Sequence, residues 1–192
     1  MPFRSSTRLL LLVLCGFAYF QSQAENGPFK GTAPNTSPSF DTPTGSVAPP
    51  VNNECSGATV LTPGATCTPT AGTNVEATQS IAPITCGIFT SSSALDVWYQ
   101  FTATTTSHIV TVVGATGFDA IIDVRSGACT GTNIGCADGT TSGGTETATV
   151  GGLTVGTTYF VRVYGWAGGT GTFTICVTGA PAAPANNECS SA

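Results

Sequence analysis

Residues 156–177, GTTYFVRVYGWAGGTGTFTICV, admit little besides β-structure. Tyr159, Val161 and Val163 alternate along the first half, and Phe173, Ile175 and Val177 along the second. A period of two built from aromatic and β-branched residues is the signature of a half-buried strand. Gly165, Gly168, Gly169 and Gly171 separate the two runs and permit the backbone angles of a hairpin loop. The stretch therefore reads as two strands joined by a glycine-rich turn. A lone hairpin is marginal in water, so this one requires more sheet to pack against.

The rest of the chain supplies candidates for that sheet. Residues 59–61 read as a short strand and residues 75–80 as another. In residues 96–103, Val97, Tyr99 and Phe101 share one face, with Trp98 and Gln100 opposite. Residues 108–113 follow. In residues 120–125, Ala120, Ile122 and Val124 lie against Ile121 and Asp123. Residues 134–137 and the Thr-rich residues 145–150 complete the set. Only 8% of the residues are charged, and Thr, Gly, Ala, Ser and Val dominate. Long amphipathic helices do not fit that composition. The pattern predicts an all-β chain: an antiparallel β-sandwich of about eight to ten short strands within residues 52–179.

Residues 1–24 read as a secretory signal peptide. Arg4 and Arg8 precede the apolar residues 9–20, which are too short a run to span a bilayer, and Ser22-Gln23-Ala24 offers a cleavage site. Leu14 before Cys15 argues against a lipoprotein signal. Once the leader is removed, no membrane insertion is expected. Three basic residues then remain against ten acidic ones, a net charge of −7, so nucleic acid is excluded as a partner. Residues 25–51, rich in Pro, Thr and Ser, read as a flexible linker.

Export makes the cysteines disulfide candidates, because close CxxC-type pairs and clustered histidines are absent from the sequence. Residues 52–58, NNECSGA, recur as NNECSSA at 186–192. We read residues 180–192 as a linker and the start of a second copy of the domain. Cys189 then belongs to that copy, and Cys55, Cys67, Cys86, Cys129, Cys136 and Cys176 form one closed set. Spacing favours Cys129–Cys136 across a short loop and Cys67–Cys86 across a second, which leaves Cys55–Cys176.

Three segments taken together resemble the bacterial pre-peptidase C-terminal domain family, in a tandem-repeat form found in secreted proteins of Bacteroidetes-type bacteria. They are DVWYQFTATTTSHIVTVVG (residues 96–114), GFDAIIDVRSG (117–127) and GTETATVGGLTVGTTYFVRVYGWAGGTGTFTICV (144–177). In the family, the first corresponds to an aromatic strand with a hairpin partner. The resemblance implies a jelly-roll-like β-sandwich, here stapled by disulfides, with no catalytic activity of its own. Such domains accompany secreted proteases or build surface repeats, and some bind collagen or polysaccharide. In calcium-carrying relatives an Asn- and acid-rich opening segment supplies ligands, which points to Asn52, Asn53 and Glu54. Read by themselves, these three form a turn and bind nothing. Asp96, Asp119, Asp138 and Glu146 add oxygen ligands at strand ends and loops.

No catalytic constellation stands out. GxSxG and HExxH are absent, and His108 is the only histidine. Asp119 and Asp123 lie about 13 Å apart on a straight strand, too far to act as a carboxylate pair or to chelate one ion. The remaining candidate is a binding row, Phe160, Arg162, Tyr164 and Trp166, opposite the Tyr159 face. It is suited to stacking on sugar rings or gripping a peptide. The alternative is that Phe160 and Tyr164 pack under a loop while Arg162 pairs with Asp123. The expected function is a secreted or cell-surface structural, adhesive or binding module, with an extracellular protein or polysaccharide as partner. The rivals are an accessory domain of an exported enzyme, a peptidase foremost, and a carbohydrate-binding module.

Overall fold

The computed structural model of the chain describes residues 47–180. The leader, the second NNEC segment and most of the linker lie outside those residues. The described residues hold eleven strands: β1 (Thr59–Val60), β2 (Thr70–Thr73), β3 (Thr85–Cys86), β4 (Phe89–Thr90), β5 (Asp96–Thr102), β6 (Ser107–Gly114), β7 (Ala120–Ser126), β8 (Asn133–Ala137), β9 (Thr145–Gly151), β10 (Thr158–Gly165) and β11 (Thr172–Gly179). They form a five-stranded sheet in the order β1-β5-β10-β7-β8 and a four-stranded sheet in the order β2-β11-β6-β9. β3 and β4 make a separate hairpin. All pairings are antiparallel except β1 with β5.

The two large sheets face each other as a sandwich. Val97, Tyr99 and Phe101 of β5, Ile122 and Val124 of β7, and Tyr159, Val161 and Val163 of β10 fill the space between them. From the other sheet come Val110 and Val112 of β6, Ala148 and Val150 of β9, and Phe173, Ile175 and Val177 of β11. Phe118 and Phe173 stack with ring centres 5.6 Å apart.

The expected hairpin over residues 156–177 is not one. β10 belongs to the five-stranded sheet and β11 to the four-stranded sheet, so the glycine-rich segment carries the chain across the sandwich. The same holds for β5 and β6. Each inner face is apolar at alternate positions, and period-two patterning cannot distinguish a strand's partner within a sheet from one facing it across the core. The strand expected at residues 75–80 is also absent. β2 lies earlier, at Thr70–Thr73, and Glu76 sits at φ 62° in a turn.

Residues 74–95 instead run over the outer face of the five-stranded sheet and bury it. Trp98, Arg162 and Tyr164 are fully enclosed there. Trp98 donates from Nε1 to Ser80 Oγ at 3.0 Å. Arg162 donates to the carbonyls of Ile81 and Ala82. Ile81 and Ala82 belong to no strand, and Arg162 supplies the donor that their carbonyls would find in a ladder. The guanidinium also binds Asp96 at 2.6 Å and lies 3.6 Å from Asp123. Asp123 in turn accepts from Arg125 at 2.9 Å and from Asn133 at 2.7 Å. Two carboxylates and two guanidinium groups thus form one neutral network across β5, β10, β7 and β8.

All six cysteines of the closed set are bonded, but the pairing differs from the expected one. The bonds are Cys55–Cys129, Cys67–Cys176 and Cys86–Cys136, with Cα–Cα distances of 6.0, 5.5 and 5.9 Å. Cys129–Cys136 fails because Cys136 lies opposite Asp123, three residues before β7 ends, while Cys129 is in the turn beyond it. Three residues are about 10 Å along a strand, beyond the reach of a disulfide. Cys67–Cys86 and Cys55–Cys176 fail because residues 74–95 carry Cys86 across to β8, leaving Cys67 beside β11.

Candidate functional site

The four residues of the expected binding row divide. Arg162 and Tyr164 are completely buried and Phe160 is half-buried. The packed-under-a-loop alternative therefore describes Arg162 and Tyr164, with Asp96 as the closer partner of Arg162. The guanidinium carbon lies 4.7 Å from the Tyr164 ring centre, so the cation–π contact is internal. Trp166 is the most exposed of the four, at 37%.

Asn52 and Asn53 are buried and engaged in the fold. Asn52 Nδ2 donates to the Trp98 carbonyl at 3.0 Å. Asn53 accepts from the Thr78 N–H at 2.6 Å and donates to Glu54 at 2.8 Å. Together they dock the NNEC segment on β5 and on the crossing segment. Glu54 is exposed. His108 is likewise structural: Nε2 accepts from the Thr104 N–H at 3.0 Å, and Nδ1 lies 3.0 Å from the Thr178 carbonyl.

A different constellation forms at one end of the sandwich. Phe89, Asp119, Asp138, Gly139, Thr140, Thr141 and Trp166 line a cleft of about 320 Å³. Phe89 comes from the tip of the β3–β4 hairpin, Asp119 from the approach to β7, Asp138 from the exit of β8, and Trp166 from the exit of β10. The Phe89 and Trp166 rings meet edge to face, 6.1 Å apart at 89°. Phe89 is 48% exposed. Such surface aromatics combine apolar area with flat faces on which a ligand can stack.

The Trp166 backbone is held by its N–H bond to the Asp119 carbonyl at 2.9 Å. The next residue, Ala167, occupies the left-handed region at φ 53°, with its N–H donated to Ser91 Oγ at 2.9 Å. A non-glycine residue in that region carries strain, and such strain clusters at functional sites. Asn74, fully buried, fixes the same loop by donating to the Gly169 carbonyl and accepting from the Gly171 N–H.

Three carboxylates converge at this end. Glu146 on β9 accepts from the backbone N–H groups of Gly139 and Thr140 and from the Thr140 hydroxyl, which shapes the cleft floor. Asp119 keeps one buried oxygen without a partner. Burial, and then the charge of Glu146, push the Asp119 carboxyl above its ordinary value. Burial, and then the charges of Asp119 and Glu146, do the same to Asp138. Both groups hold their protons more tightly in the folded protein than in the unfolded chain. Their contribution to stability therefore improves as pH falls through the raised values and declines as pH rises. We expect Asp138→Asn to stabilise the domain at pH 7, by less than about 1 kcal/mol given its partial exposure, and to lose that advantage in acid. Paired thermal melts across pH check this, and an Asp138→Asn gain independent of pH would refute it.

Asp119 and Asp123 do separate work, the first in the cleft and the second in the buried network. Sequence reasoning missed Phe89. Its only signal is a lone aromatic beside a Cys-Gly turn, in a strand of two residues.

Residues 51–177 match the model of a T9SS-associated family described as galactose binding domain-like. Among solved structures, the pre-peptidase C-terminal domain of a collagenase from Bacillus anthracis is similar at 14% identity. The match covers 62% of this chain and 93% of that one, with a TM-score of 0.42. No curated protein matches.

Proposed function

The chain belongs to the T9SS-associated, galactose binding domain-like family, and on that premise we propose that it is an exported, non-catalytic module that binds carbohydrate through the Phe89–Trp166 cleft. The observation that carries this reading is the exposed aromatic pair set over carboxylates in one cleft. Aromatic faces stack on the C–H faces of a sugar ring, and ionised carboxylates accept hydrogen bonds from its hydroxyls. The cleft lies at the small end of the range for ligand sites, which suits one or two sugar units. Export is supported by the leader-like residues 1–24, the three disulfides and the family's T9SS association. The module's work is to hold a larger protein, or an enzyme joined to it, against a polysaccharide outside the cell.

The test is affinity electrophoresis through gels containing galactose-bearing and other polysaccharides. Wild type is expected to be retarded in at least one gel. Trp166→Ala should weaken that retention by roughly tenfold, since an aromatic contact contributes about 1 kcal/mol beyond its buried area. The melting temperature should stay put, because Trp166 lies outside the core. Unaltered retention of Trp166→Ala would remove the cleft from consideration. Binding should also weaken as pH falls through the raised values of Asp119 and Asp138, where the carboxylates gain protons and lose acceptor strength.

A further inference from the structure

The wall of the cleft that carries Phe89 is lightly supported. β3 and β4 pair only at Thr85↔Thr90 and Cys86↔Phe89, and neither joins a larger sheet. Two residue pairs do not hold a hairpin in water. The tip is Gly87-Ile88, with Gly87 at φ 61° and Ile88 88% exposed, so the tip has little packing beneath it. Upstream, the last firm anchor is the Arg162 bond to the Ala82 carbonyl at 3.0 Å. The Ile84 N–H contact with the Tyr164 hydroxyl is long, at 3.4 Å. Downstream, the next anchor is Ser91, bound to the Ala167 N–H. Between them the hairpin is fastened by the Cys86–Cys136 disulfide.

That bond has a particular place. Cys86 is the cross-strand partner of Phe89, and Cys136 lies two residues before Asp138. One covalent link therefore sets the spacing between the aromatic wall and the carboxylate wall of the cleft. It also lines a neighbouring groove shared with Ile88, Phe89 and Asp138, with Cys136 only half-buried.

We propose that the Cys86–Cys136 disulfide is a redox latch on the binding cleft: oxidised, it holds Phe89 against Trp166; reduced, it frees the hairpin and opens the site without unfolding the sandwich. The inference rests on the carbohydrate reading for the ligand but not for the movement. The reductant is a small thiol or dithiol. Its thiolate attacks one sulfur to give a mixed disulfide, and a second thiolate then displaces that cysteine. Two protein thiols form, and two reductant thiols are oxidised to one disulfide.

The experiment compares Cys86→Ser/Cys136→Ser with Cys67→Ser/Cys176→Ser in residues 25–192. The first readout needs no ligand: the nuclear Overhauser contact between the Phe89 and Trp166 rings. The second is retention in the polysaccharide gel that retards wild type. The latch predicts that Cys86→Ser/Cys136→Ser keeps its β-sheet circular dichroism, loses the ring contact and binds at least about tenfold more weakly. Cys67→Ser/Cys176→Ser should keep the contact and bind within about twofold of wild type, although it melts lower. A ring contact that survives without Cys86–Cys136, or an equal loss of binding in both variants, would overturn the latch. Should the serine variant fail to fold, Cys86→Val/Cys136→Ala refills the apolar space, and failure of that variant too would make the bond an ordinary staple and refute the proposal. If no gel retards wild type, the carbohydrate reading falls, while the ring contact still decides the latch.

Discussion

Arg162→Met is expected to destabilise the domain by about 3–5 kcal/mol, because it leaves a buried carboxylate without its partner and takes the donor from the carbonyls of Ile81 and Ala82. Arg162 is wholly enclosed, and Asp96, which it binds at 2.6 Å, is enclosed with it. Methionine fills much of the volume but returns none of the hydrogen bonds. Burial pushes the Asp96 carboxyl upward despite the opposing charge of Arg162, and removing that charge leaves burial unopposed. The carboxyl would then bind a proton in the folded state, so the variant's deficit should shrink as pH falls and widen as it rises. A domain of this size holds about 5–15 kcal/mol in all, so the melting temperature should drop by roughly 10 °C or more. Urea melts of the variant, of Asp96→Asn and of the pair complete a double-mutant cycle. A loss below about 1 kcal/mol for Arg162→Met would show that the crossing segment 74–95 does not depend on it.

Removing Cys67–Cys176 is expected to cost about 2–5 kcal/mol, the largest loss among the three disulfides. Its cysteines are 109 residues apart, against 74 and 50 for the other two, and closure entropy in the unfolded chain grows with loop length. The bond ties the segment before β2 to β11, whose other neighbour is β6. Cys67→Ser/Cys176→Ser should therefore unfold at lower urea than Cys86→Ser/Cys136→Ser. The reverse order would mean that strain or residual structure in the unfolded chain outweighs loop length.

The inward faces of β5, β7, β10 and β11 were legible, because alternation of Val, Ile, Phe and Tyr is a local signal and burial follows it directly. The resemblance drawn from residues 96–177 led to an all-β sandwich, and the eleven strands and the family match agree with it. What alternation does not carry is which strand lies beside which, so the hairpin read at residues 156–177 became a crossing between sheets. The cover over Trp98 and Tyr164 was invisible for a related reason. Residues 74–95 have no period, and they are held by Arg162, Gln79 and Asn53 through hydrogen bonds rather than by an apolar stripe. The cysteine pairing depended on that cover and went astray with it. At the cleft, Trp166 stands out in the sequence as an aromatic and Asp119 and Asp138 as oxygen donors, but Phe89, far away in sequence, joins them only through the fold.

From β5 to β11 the chain changes sheet at five of its six connections, and only β7–β8 is a direct hairpin. Nearly every ladder therefore joins segments distant along the polypeptide, so loops must close before pairing stabilises anything. Folding in milliseconds to seconds is the kinetic expectation for such a topology. During that interval the cysteines closest in sequence, Cys129 and Cys136, meet more often than the native partners do. A newly made chain should thus pass through wrongly bonded species and require disulfide exchange to escape them, so its yield would be set by isomerase supply as much as by the stability of the finished domain.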